Sequence, residues 1–176
     1  MTLRRAALAF TLVLAAASPA LAKGPCATPD EIKAAQVRQF HYQLQVAALN
    51  CRGDDPSLPG KWSTYVHHHG GTMTDNARVM RGYFQRTGKG AAGFDRYNTV
   101  LTNRESVRVH LTEGYCEVNA PLFDKAAGAN AVQLTTLAGE TIGHPSEMKA
   151  CAETRKAEAG TKPAGKTAQK TARKAE

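Results

Sequence analysis

TPDEIKAAQVRQFHYQLQVAALNC, residues 28–51, reads as one uninterrupted α-helix. Thr28 supplies a capping hydroxyl, Pro29 suits the first turn, where its missing N–H costs nothing, and Glu31 stands three residues after the cap to close a capping box. Val37, Phe40, Leu44, Ala47 and Cys51 recur at helical spacing, and Ile32 and Ala48 widen the stripe. Gly53 and the pair Asp54-Asp55 before Pro56 end it. A cysteine flanks each end, at 26 and 51, so the helix is also a ruler: at 1.5 Å per residue it holds them roughly 35 Å apart.

The helical period continues downstream. Leu58 to Phe84 predicts a second helix, with Trp62, Tyr65, Val66, Met73, Ala77, Met80 and Phe84 on its apolar face. Gly70-Gly71 in its middle favours a bend or break, since each glycine costs about 1 kcal/mol relative to alanine. Thr87 to Gly93 predicts a glycine-rich loop. Phe94, Tyr97, Leu101 and Val107 to Leu111 predict a third helix. A fourth runs from Thr112 or Tyr115 to Ala127, kinked or restarted at Pro121. After Gly128 come a short apolar piece (Val132, Leu134, Leu137), a turn at Gly143-His144-Pro145 and a helical stub from Ser146 to Cys151. Alternating strand patterns are nearly absent. The expected fold is all-α, four main helices in an up-and-down bundle over residues 23–151.

The ends bear on location. Arg4 and Arg5, the apolar run Ala6 to Ala17 and the small-x-small site Ala20-Leu21-Ala22 have the form of a secretory signal peptide over residues 1–22. The mature chain is then expected to begin near Lys23 and to be periplasmic or secreted. Lys23-Gly24-Pro25 before Cys26 is no lipobox, and no stretch after Ala22 has the roughly 20 apolar residues of a membrane span. The formal net charge of +8 sits largely at the ends. Residues 152–176 carry seven basic and three acidic side chains and no large apolar one, so they are expected to be a disordered tail. Lys162, Lys166 and Lys170 recur every four residues and offer an anionic envelope surface a weak partner; a purely solvated tail is the simpler expectation. The nearly neutral body gives no reason to expect specific nucleic-acid binding.

In an oxidising compartment the four cysteines are expected to pair. A disulfide needs α-carbons within about 7 Å, so the first helix excludes Cys26–Cys51 and with it Cys116–Cys151. In an up-and-down course Cys51 and Cys116 share one end, and the chain returns to Cys26 at the other. The expected pairs are Cys51–Cys116 and Cys26–Cys151. No Cys-x-x-Cys occurs, and the spacing lacks the clustering of a zinc site.

His67-His68-His69 is the chief metal candidate. Neighbours on a helix point about 100° apart, so convergence of all three requires Gly70-Gly71 to unwind. His69 and Met73, four apart, would present an imidazole and a soft thioether to copper. The alternative is a solvated histidine run. His41, His110 and His144 are isolated. Gly82 to Gly90 departs from the phosphate-loop pattern in spacing and lacks Ser or Thr after Lys89. Arg52-Gly53-Asp54 reads as a helix-ending turn. Asn98, Thr102, Asn103, Glu105 and Ser106 give the third helix a polar run that could line a groove or form a solvated face with an interhelical hydrogen bond. No nucleophile–base pair is readable, so a catalytic role and a resident cofactor are not expected.

Ala47-Ala48-Leu49-Asn50-Cys51, Tyr83-Phe84 before a glycine-rich turn, and Tyr97-Asn98-Thr99 through Leu101, Asn103 and Ser106 to Tyr115-Cys116 together resemble small exported helical proteins of alphaproteobacteria that carry no assigned activity. The likeness covers about residues 26–125, rests on packing and cysteine positions, and implies no catalytic residue. The expectation is a non-enzymatic, exported helical domain acting as a binding or envelope-associated accessory protein. A periplasmic copper- or zinc-binding protein using His67, His68, His69 and Met73 is the alternative.

Overall fold

Helix α1, Pro29–Asn50, starts on the capping box. The Glu31 N–H donates to Thr28 Oγ1 at 3.3 Å, and the Thr28 N–H donates to Glu31 Oε2 at 2.8 Å. A computed structural model describes residues 25–145 and 147–151. The signal peptide expected at 1–22 and the tail expected at 152–176 lie outside the described residues, as does Ser146.

The apolar stripe of α1 understates its burial. Phe40, Leu44 and Ala47 are buried, but so are Ile32, Ala35 and Val46 on other sides, and so are Glu31, Arg38 and Gln43. The helix is an axis that the other helices surround, rather than one corner of a square bundle. Its interior polar side chains must therefore find partners inside the protein.

Helix α2, Leu58–Arg86, returns antiparallel. Its first residue packs beside Cys51, and at its far end Arg86 Nη2 donates to Glu31 Oε2 at 2.6 Å and to the Cys26 carbonyl at 3.1 Å. It passes through Gly70-Gly71 without a break. Packing of Tyr65 and Met80 on either side holds the helix across two poor helix formers. Helix α3, Gly90–Leu111, begins before the expected Phe94, because the Gly93 N–H already donates to the Lys89 carbonyl. The expected loop shrinks to a turn around Gly88. Helix α4, Tyr115–Ala127, contains Pro121 and is not interrupted by it.

A fifth helix, α5, Ala131–Ile142, replaces the short apolar piece and corrects the expected count of four. Asn130 Oδ1 accepts from the N–H groups of Val132 and Gln133, and Gln133 Oε1 accepts from the Asn130 N–H. This second capping box starts a helix that packs on α1, its Leu134 and Ala138 joining Val37 and Phe40 in one core cluster. The stub expected from Ser146 is also absent: residues 147–151 are not helical. The Ala27 N–H donates to Lys149 O at 2.7 Å and the Cys151 N–H to Ala27 O at 3.0 Å, drawing this segment into a single parallel bridge.

Two disulfides staple the described domain. Cys26–Cys151 joins its two ends, with α-carbons 4.9 Å apart. Cys51–Cys116 joins the end of α1 to the start of α4, with α-carbons 5.4 Å apart. These are the pairs expected from the length of α1 together with an up-and-down course, although the chain comes back to Cys26 through α5 and the strap at 147–151 rather than through α4 alone. Among the described residues no helix is long and apolar enough to cross a membrane.

Candidate functional site

The Cys51–Cys116 end opens into a cleft of about 440 Å³, within the size range of small-molecule sites. Its wall comes from the turn after α1 (Cys51, Asp54, Asp55), the start of α2 (Leu58), the end of α3 (Val109) and the start of α4 (Tyr115, Cys116, Glu117, Ala120). Gly114 turns the chain from α3 into α4 with φ of +67°, a conformation that suits glycine. The floor is apolar: Leu58, the disulfide, the Tyr115 ring, Val109 and Ala120. Asp54, Asp55 and Glu117 supply carboxylates, and no lysine, arginine or histidine is among the lining residues.

These carboxylates are not equally committed. Asp55 accepts from both the Ser57 N–H and hydroxyl, which hold its pKa below the usual value. Asp54 and Glu117 have no ion-pair partner among the described residues. A cleft with three negative groups over an apolar floor attracts a cation that carries some hydrocarbon.

Beneath the cleft a buried network fixes its floor. The Tyr115 hydroxyl donates to Glu105 Oε1 at 2.9 Å, and Arg108 Nη1 donates to Glu105 Oε2 at 3.1 Å. Asn119 Nδ2 donates to the Tyr115 carbonyl at 2.7 Å, and its Oδ1 accepts from Gln43 Nε2 at 2.6 Å. Burial, then the Glu105 carboxylate, pushes the Tyr115 pKa far up. This hydroxyl stays protonated and already engaged, so its chemistry is positional. Of the polar run read on the third helix, Glu105 is the member that joins this network. Ser106 and Thr102 spend their hydroxyls on the carbonyls four residues back, at Thr102 and Asn98, and Asn103 is exposed. Gln43 and Asn119 escaped the sequence reading, although a glutamine inside an apolar stripe marks a buried partner seeker.

A second interior cluster lies lower on α1. Arg38 Nε donates to Asn76 Oδ1 at 2.8 Å, its guanidinium lies 5.5 Å from the Phe94 ring centre, and Asn76 Nδ2 donates to the Ala34 carbonyl at 2.7 Å. Burial lowers the Arg38 pKa, partly offset by Tyr42. His41 stands beside it, among the rings of Tyr42, Trp62 and Tyr65.

The histidine run is not gathered into a site. His67 and His68 are exposed on α2, whereas His69 is buried and its Nε2–H donates to the Ala126 carbonyl at 2.7 Å. Met73 is half-buried against the core. His110 is exposed, and the His144 ring reaches the Met148 carbonyl. Metal-type donors instead approach one another at Cys51, Cys116 and Asp54, with both sulfurs locked in the disulfide. No known protein family, curated protein or solved structure matches this chain.

Proposed function

We propose that the chain is an exported, non-enzymatic helical binding module whose ligand site is the cleft at the Cys51–Cys116 end. The ligand class is a small molecule or side chain with a cationic head on an apolar body. The observation that carries this reading is the placement of Asp54, Asp55 and Glu117 around an apolar floor with no cationic lining residue. Support comes from the Gln43–Asn119–Tyr115–Glu105 network, which holds the floor rigid before any ligand arrives. The basic tail adds a weak, salt-sensitive tether to an anionic envelope surface.

Native mass spectra of untagged protein from the periplasm of its own host test this. The expected result is a chain beginning near Lys23, four hydrogens light, with an organic cation that the Asp54→Asn/Glu117→Gln variant fails to retain. A metal ion kept by the oxidised protein and lost when His67, His68 and His69 are changed to alanine would replace this reading with the metal-binding one. For the tail, truncation after Cys151 is expected to abolish salt-sensitive envelope association; unchanged association rejects the tether.

A further inference from the structure

We infer that Cys51, Cys116 and Asp54 form a redox-gated site for a thiophilic divalent cation, with zinc(II) the best fit. The site is closed in the disulfide state and opened by a dithiol reductant. Both Sγ atoms and a carboxylate oxygen of Asp54 lie within 4.8 Å of one another. Zinc holds thiolate sulfur at about 2.3 Å and carboxylate oxygen at about 2.0–2.2 Å in a tetrahedron, which places its ligands roughly 3.5–4 Å apart. The donors therefore need only small movements once the sulfur–sulfur bond is open. Three protein ligands leave the fourth position to water, and the cleft provides room for it.

The surroundings favour this end over the other disulfide. Cys116 is in the first turn of α4, where the positive end of the helix favours a thiolate. It is half-buried at the cleft, whereas Cys51 is fully buried, so an incoming thiolate meets the Cys116 sulfur first. Asp54 is anchored by its N–H on the Cys51 carbonyl at 3.0 Å, which keeps the third ligand in register with the first. Among the described residues Cys26–Cys151 has no comparable third donor.

The dithiol gives two electrons and two protons to the Cys51–Cys116 bond and leaves as its own disulfide, and the protein keeps two thiols. Zinc(II) then displaces one proton from each thiol and takes the Asp54 carboxylate as its third ligand. The inference does not depend on what the cleft holds in the oxidised protein.

The test uses the full chain, reduced by a phosphine, desalted without oxygen and titrated with zinc sulfate alone, or with cobalt(II) to read thiolate ligation from its charge-transfer band. The expected result is one zinc per reduced chain, none on the oxidised chain, and affinity weakened about tenfold or more by Asp54→Asn. A Cys26→Ser/Cys151→Ser variant, reduced in the same way, should bind as the wild type does. Binding unaffected by Asp54→Asn, binding that survives Cys51→Ser/Cys116→Ser, or no binding by a reduced chain that remains helical would each overturn the inference. Should reduction unfold the chain, zinc is expected to restore its circular-dichroism helicity; binding without that recovery is an unfolded-thiol effect and also overturns it.

Discussion

His41 lies 5.0 Å from the Trp62 ring centre and 5.8 Å from that of Tyr65, beside the buried Arg38. Burial, then the Arg38 charge, lowers its pKa to about 4. The unfolded chain takes up this proton near pH 6.5, so the unfolded state binds more protons between about pH 6.5 and 4. The stability linked to His41 is thus complete above pH 6.5 and lost as pH falls toward 4, by an amount on the order of 3 kcal/mol. Urea unfolding across this range should show a steeper loss for the wild type than for His41→Gln; parallel curves would reject the assignment. Glu31 acts lower on the pH scale. Its own burial works against ionisation, but hydrogen bonds from Arg86 and the Thr28 N–H prevail and hold its pKa below the ordinary value. Asn119 ties Gln43 of α1 to the Tyr115 carbonyl of α4 beneath the cleft. Asn119→Ala strips Gln43 Nε2 of its partner where Gln43 Oε1 already lacks one, and should cost about 2 kcal/mol in chemical denaturation. Thr28 and Glu31 could be read as a cap because their chemistry is local. Gln43 and Asn119 could not be read as partners, because their bond joins residues 76 positions apart, and sequence spacing carries no record of such a contact.

At the scale of elements, α2 shows propensity yielding to packing. Gly70-Gly71 argues for a break, and Tyr65, Asn76 and Met80 anchor the helix across them. A Cβ built at either glycine meets nothing within 4 Å. Gly70→Ala and Gly71→Ala should therefore each stabilise the protein by about 1 kcal/mol, measured by the denaturation midpoint. Destabilisation by either would show that the segment needs glycine flexibility. α5 teaches a different lesson. Val132, Leu134 and Leu137 read only as a short apolar piece, but Asn130 and Gln133 carry the same box chemistry as Thr28 and Glu31. The signal was present in the sequence and local; only the Asn/Gln form of the box hid it. The strap at 147–151 was not legible in the same way, since a bridge to Ala27 and a disulfide to Cys26, both distant in sequence, set its conformation.

At the scale of the molecule, two disulfides at opposite ends enclose a central helix with polar groups sealed around it. Cys26–Cys151 spans a separation of 125 residues. Loop-closure entropy gives such a link roughly 4–5 kcal/mol, so Cys26→Ser/Cys151→Ser should lower thermal stability steeply, and a variant melting with the wild type would count against the staple. The rise of α1 excluded one disulfide pairing, and the up-and-down course chose between the other two. The cleft was not legible in this way, because its wall is assembled from the ends of α1, α2, α3 and α4, and Asp54 and Asp55 read only as helix stops. An amide chemical-shift titration of the oxidised full chain with octylammonium chloride probes the cleft itself. Saturable shifts confined to residues 51–58 and 109–120, and absent in Asp54→Asn/Glu117→Gln, are the expected result for a cation seated between Asp54 and Glu117. Saturable binding that maps elsewhere, or that persists in the double variant, would contradict it.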